Sequence, residues 1–417
     1  MKFKHVLGAA ACVMCMLAGP ASAEATGQTA TWVAAWGAPQ SDAFLSLSLN
    51  NQTLRQVVTV HQQGQAIRVR LSNRHGTEPV HVDDMQLGLS AGDAAVVPGS
   101  SRSLRFGGQS AIVLKPGASA WSDPLPLTVK PMQRLTLSFH APGHISALSR
   151  HFGADEYLWR ASGNQTTTAS GQTFARIDNG LQRSWALIDG VDVQTHQPGR
   201  VLVAFGDSIT DGYVPDPNVP LVPGTALNGK DERYPDFLSR RLIAANQNVS
   251  VVNAGISGNR LLSPPPLPMF GEQGTQRLQR DVLDVAGVTD ALVLIGINDL
   301  GLALWPRADT LIAGLQATAQ RLKQAGVRAI FGTLLPARDA LPQGLMHGRA
   351  SVEAARQQVN QWIRTSGIPD AVVDFDACLR DPANPARLRA EYDSGDHLHP
   401  GARGYEAMGE CVDLALF

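Results

Sequence analysis

Residues 201–213 read VLVAFGDSITDGY: five mostly apolar residues run straight into Gly206-Asp207-Ser208, with small polar residues and a second glycine behind them. An apolar run without alternation is the pattern of a strand buried on both faces. Four more such runs follow, VSVVNA (249–254), ALVLIGI (291–297), AIFGTLL (329–335) and AVVDF (371–375). Between them lie helical patterns. TLIAGLQATAQRLKQAG ends at Gly326 and SVEAARQQVNQWIRTSG at Gly367, where a helix C-terminus favours a left-handed residue, and GARGYEAMGECVDLAL closes the chain. Buried strands alternating with amphipathic helices predict an α/β unit over 196–417, a parallel sheet with helices on both faces. Ligands of such sheets sit at the carboxyl ends of the strands, which is where Ser208 stands. A serine there is either a nucleophile or the N-cap of the next helix.

Upstream the pattern is different. QAIRVRLSN (65–73), VHVDDMQLGLS (80–90) and QRLTLSFHA (133–141) alternate apolar and polar residues, and turns such as KPGAS and APGH separate such runs. Period two with one wet face predicts an antiparallel β-sandwich over 24–195, ending at the THQPGR turn. A chain of 417 residues suits two domains, each with a core of its own. The β half offers no nucleophile–base arrangement. Its tryptophans, Trp32, Trp36 and Trp159, are either core residues or platforms for sugar rings.

The first residues read as an address. Lys2 and Lys4 precede an apolar run from Val6 to Leu17, and Ala21-Ser22-Ala23 gives the small-x-small pattern of a signal-peptidase site, so residues 1–23 read as a leader and the mature chain as exported. Losing two lysines and no acid takes the net charge from −1 to −3. Well-mixed charges give no reason to expect a nucleic-acid partner, and no other apolar run is long enough to span a bilayer. Of four cysteines, Cys378 and Cys411 lie beyond the leader, a pair that an oxidising compartment is expected to join. Their spacing makes no zinc site, and no metal or cofactor is called for.

A serine hydroxyl needs a base, a group that orients the base, and donors for the oxyanion. YDSGDHLHPGARGY (392–405) places Asp396 three residues before His399 on a turn forced by Pro400 and Gly401, so that the carboxylate reaches Nδ1 and Nε2 points outward. Asp393 is the alternative carboxylate; His397 reads as packing or solvent-facing. DHLH (396–399) as a metal-ligand pair finds no third and fourth ligand nearby. Gly258, in NAGISGN, offers a backbone N–H and Asn298, in GINDLG, a side-chain amide; a tight turn and an Asx-turn are the bland alternatives. Four such residues at four strand ends point to one site.

These blocks, Gly206-Asp207-Ser208, Gly258, Gly296-x-Asn298-Asp299 and Asp396-x-x-His399-Pro400, resemble those of the SGNH or GDSL hydrolases. The resemblance implies a three-layer α/β/α, flavodoxin-like domain, with Ser208 as nucleophile, Asp396 and His399 completing a triad, and Ser208 N–H, Gly258 N–H and the Asn298 amide as oxyanion hole. TWVAAWG, IRVRLSN, LIGINDLG, VNQWIRTSG and DFDACLRDP extend it to the XynE-like secreted acylhydrolases, whose β domain would be a jelly-roll-like sandwich. The expectation is an esterase that removes short acyl groups, acetyl first, from plant polysaccharide. A lipid or aryl esterase and an inert carbohydrate-binding protein are the rivals. VPDPNVPLVPGTALNGKDER (214–233) forms an expanded loop behind the nucleophile.

Overall fold

The computed structural model describes Met1 and residues 30–177, 179–219, 222–340, 342 and 345–417. The leader, the cleavage site after Ala23, and Pro220 and Leu221 of the long loop lie outside the described residues.

The apolar runs form a parallel sheet of β1 (Arg200–Gly206), β2 (Val249–Gly255), β3 (Asp290–Leu294), β4 (Arg328–Gly332) and β5 (Ala371–Val373). The strand order is 2-1-3-4-5, with every pairing parallel. β2 and β3 are buried along their whole lengths and β1 from Val201 onward, which is why these runs show no alternation. β3 is shorter than its apolar run because the backbone turns at Gly296, where φ is 130°.

The helices of this half are α1 (Ser208–Asp211), α2 (Tyr234–Ala244), α3 (Gly274–Leu278), α4 (Ile297–Gly301), α5 (Ala308–Gln324), α6 (Ala350–Thr365), α7 (Phe375–Leu379) and α8 (Ala402–Cys411). α2 packs on α8, and α5 on α6. From β1 the chain steps one way to β2 and then the other way to β3, β4 and β5, so right-handed crossovers put α2 on one face and α5 and α6 on the opposite one. The order reverses between β1 and β3. The loops leaving them diverge and open a crevice, and Ser208 and Asn298 stand at its two sides.

Residues 31–195 build two antiparallel sheets of five and eight strands, with a two-stranded ribbon of Arg150–Phe152 and Ser184–Ala186. In strand Gly64–Ser72 the inward Ile67, Val69 and Leu71 are fully buried, while Arg68 and Arg70 between them pair with Asp192 and Asp189. The alternation read in IRVRLS is therefore the pleat itself. The tryptophans are not open platforms. Trp36 is buried edge-on to Trp185, Arg68 lies 4.7 Å over Trp32, and Trp159 packs against a small cluster with Phe174.

The two halves do not bury separate cores. One apolar cluster runs from Val33 through the antiparallel sheets and the parallel sheet to Val412. The join is β2, an edge strand that is nonetheless buried because strand Thr31–Gly37 packs on it. Ser250 Oγ donates to Ala34 O at 2.7 Å, Ala34 N to Ala286 O at 2.9 Å, and His61 Nδ1 to Val251 O at 2.6 Å. An uncovered β2 would leave a bare sheet edge; the antiparallel half closes it.

Cys378 in α7 and Cys411 at the end of α8 are disulfide-bonded, with Cα atoms 6.3 Å apart. The loop they close contains Asp396 and His399. Replacing both by alanine should lower unfolding stability by about 3–4 kcal/mol through the freed denatured chain. Denaturant titration checks this, and a loss under about 1 kcal/mol would contradict it.

Candidate active site

Asp207 ends the β1 turn as the N-cap of α1, its Oδ1 accepting the Ile209 N–H at 3.1 Å. The capping alternative for Ser208 therefore falls away: the cap is its neighbour, and the Ser208 hydroxyl is free for other work. Gly206 has no room for a side chain, since a Cβ there would lie 2.0 Å from Thr210 Oγ1.

Ser208 Oγ lies 2.8 Å from His399 Nε2, and His399 Nδ1 lies 2.6 Å from Asp396 Oδ2. With Nδ1–H donating to the carboxylate, Nε2 is left as the acceptor for the serine proton. The other Asp396 oxygen takes the N–H groups of Leu398 at 3.0 Å and His399 at 2.8 Å, and the Ser394 hydroxyl at 3.1 Å. Burial alone would raise this carboxyl, but His399 and these donors hold it well below the usual carboxylate range. Asp393 is engaged elsewhere: its Oδ2 lies 2.5 Å from Nδ1 of His397, whose backbone is left-handed. Two Asp–His pairs thus share one turn, and only Asp396–His399 faces the serine. The Tyr213 ring is tilted against His399, centroids 4.5 Å apart, walling one side of the imidazole.

The backbone N–H groups of Ser208 and Gly258 have no protein acceptor among the described residues. Gly258 has φ 75°, and a Cβ would fall 2.4 Å from the Phe270 ring, so conformation and space both require glycine. Asn298 is fixed from both ends of its amide: Nδ2 donates to Asn259 O at 2.9 Å, and Oδ1 accepts from His347 Nε2 at 2.9 Å. That leaves one amide proton uncommitted. Burial, with the nearby His399, lowers His347 to about 4, so its ring is neutral at ordinary pH and donates through Nε2. Burial also pushes Asp207 up to about 7, against its bond from Ile209 N–H.

All five residues read from the sequence, Ser208, Gly258, Asn298, Asp396 and His399, meet at the carboxyl end of the sheet. Of the residues that hold them, Asp299 was read only as part of the Asn298 block, and Arg277 and His347 were not read. Asp299 accepts the N–H groups of Leu261 and Leu262 at 2.7 and 2.9 Å, fixing the loop behind Gly258. The buried Arg277 donates to Gly206 O at 2.7 Å, Ala254 O at 2.8 Å and Asn259 Oδ1 at 3.0 Å, tying the first two strand ends together. Asp299 had a signal in its place beside Asn298. His347 and Arg277 had none, because a lone polar residue in a loop or short helix does not reveal that it is buried. Among the described residues no group of three or more His, Cys, Asp or Glu side chains is placed to hold a metal ion.

Residues 204–407 match the GDSL-like lipase/acylhydrolase family. Similar solved structures include an aryl esterase of M. smegmatis, 15% identical over 51% of this chain and 95% of its own, TM-score 0.41. Est24, a carbohydrate acetylesterase from Sinorhizobium meliloti, is 14% identical over 52% of this chain and 100% of its own, TM-score 0.42. A lipase/acylhydrolase from Enterococcus faecalis is 22% identical over 51% and 92%, TM-score 0.35. No curated protein matches the chain. The stretch that carries the serine, the amide and the histidine is the one that the match to the GDSL-like lipase/acylhydrolase family spans.

Proposed function

We propose that the protein is an exported serine esterase that works through an acyl-enzyme and removes short acyl groups, acetyl first, from plant polysaccharide or its oligosaccharides. In this reading residues 1–23 are a leader, 24–195 a jelly-roll-like sandwich that walls the cleft, and 196–417 a three-layer hydrolase unit. Ser208 Oγ attacks the ester carbonyl while His399 Nε2 takes its proton. Asp396 steadies the imidazolium, and the N–H groups of Ser208 and Gly258 with the free Asn298 amide proton receive the oxyanion. His399 then protonates the leaving alcohol, and a water activated by the same ring hydrolyses the acyl-enzyme. No cofactor takes part. The observation that carries this reading is the hydrogen-bond chain Asp396–His399–Ser208, at 2.6 and 2.8 Å.

The choice of a short acyl group rests on the loops beside the site. Residues 213–233 and 263–275 are rich in proline, glycine and polar residues, with few large apolar side chains and no helical stripe with which to line a long apolar trough. The polysaccharide alcohol rests on the sequence likeness to the XynE-like proteins. One observation favours a second reading, an esterase of aryl or lipid esters. Leu304 and Trp305, just beyond α4, are 76% and 78% exposed. Leu345 and Met346, next to His347, are also exposed. Arg349 ties these two segments together through Leu304 O at 3.1 Å and Met346 O at 2.8 Å. This apolar rim flanks Asn298 and was not anticipated, since the two loops on which the short-chain expectation rests lie elsewhere.

An aryl-ester series separates the readings. Acetate should give the highest kcat/KM, with a fall of about tenfold or more by hexanoate, because methylenes that find no apolar trough gain no burial energy. A maximum at octanoate or longer would overturn the short-chain reading and promote the lipid one.

A further inference from the structure

Three side chains outside the triad link the antiparallel half to the oxyanion loop. His151, in strand Arg150–Phe152, lies with Nε2 2.9 Å from Asp211 Oδ1 and Nδ1 2.9 Å from Pro39 O. Both ring nitrogens face acceptors, so the ring is held between Pro39 O and the Asp211 carboxylate. Asp211 closes α1, three residues beyond Ser208. Its second oxygen accepts twice from Ser257, from the hydroxyl at 2.6 Å and from the N–H at 3.0 Å. Ser257 is bonded to Gly258, whose N–H has no protein acceptor among the described residues. His151, Asp211 and Ser257 are all buried, and the His151 ring lies against Trp185 at 5.5 Å.

We infer that His151 is a positioning residue for ester hydrolysis: through Asp211 and Ser257 it sets the Gly258 N–H relative to Ser208, so that the antiparallel half completes the oxyanion hole. The inference rests on the esterase reading above. Asp211 alone could turn either oxygen to Ser257. A buried ring fixed by Pro39 O holds one oxygen and aims the other. A donor misplaced by a fraction of an ångström stabilises the oxyanion poorly while leaving the ground-state ester almost unaffected. Loss of the relay should therefore appear in kcat and not in KM. A pair that merely joined two halves would appear in the melting temperature and leave the folded enzyme's kcat alone.

The test uses the full-length enzyme with an aryl acetate as substrate and an aryl boronic acid as probe, whose tetrahedral adduct on the serine places an oxygen where the oxyanion forms. In His151→Phe, kcat should fall about 10- to 100-fold with KM changed less than about threefold, and boronate affinity should fall in step with kcat. His151→Gln, which keeps a donor toward Asp211, should recover most of the loss. Titration with a fluorophosphonate counts intact sites, so unfolded protein is not mistaken for slow enzyme. Should His151→Phe fail to fold, Ser257→Ala removes the far hydroxyl of the relay and should lower kcat and boronate affinity together by about 3- to 10-fold. Parental kcat and boronate affinity in whichever of these two variants folds would overturn the inference. If Ser208→Ala kept the parental activity, the esterase reading itself would fail; activity that depends on Ser208 but ignores His151 and Ser257 would sink only the relay.

Discussion

Ser208→Ala should lower kcat for ester hydrolysis by about 10⁵- to 10⁶-fold, down to what the oxyanion donors and binding supply on their own. The hydroxyl has one side-chain partner, His399 Nε2 at 2.8 Å, and it stands at the mouth of a crevice rather than in the apolar core. Its removal leaves Asp207 capping α1 and Arg277 bonded to Gly206 O. The unfolding free energy should accordingly move by less than about 1 kcal/mol. Rate and stability measured on the same preparation check both halves, and activity within tenfold of the parent would refute the nucleophile.

Asp396→Asn should cost about 10³- to 10⁴-fold in kcat with the backbone unmoved. The new amide can still accept the Leu398 and His399 N–H groups through its oxygen, as Asp396 Oδ1 does now at 3.0 and 2.8 Å. Its nitrogen, however, faces His399 Nδ1 with a hydrogen of its own. The ring must then carry its proton on Nε2, toward Ser208, where it cannot accept one. The native carboxylate is held so far below the usual range that it stays ionised wherever the enzyme works. The loss should therefore persist across the pH range, and a kcat restored at any pH where the protein is folded would contradict the assignment. Asp393 cannot substitute, because it is bonded to His397.

The parallel sheet was legible because burial on both faces leaves its mark on every residue of a strand, as in Val201–Gly206. The proposed catalytic residues were legible because each lies within three residues of a glycine or proline, Ser208, Gly258 and Asn298 just past strand ends and Asp396 and His399 on the turn before α8, where sequence and backbone geometry are tightly coupled. Ser208, Gly258, Asn298, Asp396 and His399 all have that context. The parts that were not legible depend on long-range contacts. Nothing near His151 distinguishes it from any strand histidine, and its partner is 60 residues away. The same holds for Arg277, which bonds across 71 residues to Gly206. The shared core was hidden for a related reason: a run such as TWVAAWG shows that a strand is buried but not that β2 covers it. Ser208 as a possible helix cap shows the local limit, since Asp207 and Ser208 are both good caps and only the backbone decides between them.

The central claim is that Ser208 is acylated during turnover. Its most direct test is peptide mapping by mass spectrometry after the enzyme is treated with a fluorophosphonate, and again after acid quench during turnover of an aryl acetate. The reading predicts one phosphonyl adduct per chain, on Ser208 within the GDSITDG segment, and an acetyl group on the same residue in the quenched sample. An unlabelled Ser208 in an enzyme that is hydrolysing the ester, or a label on another residue, would contradict it.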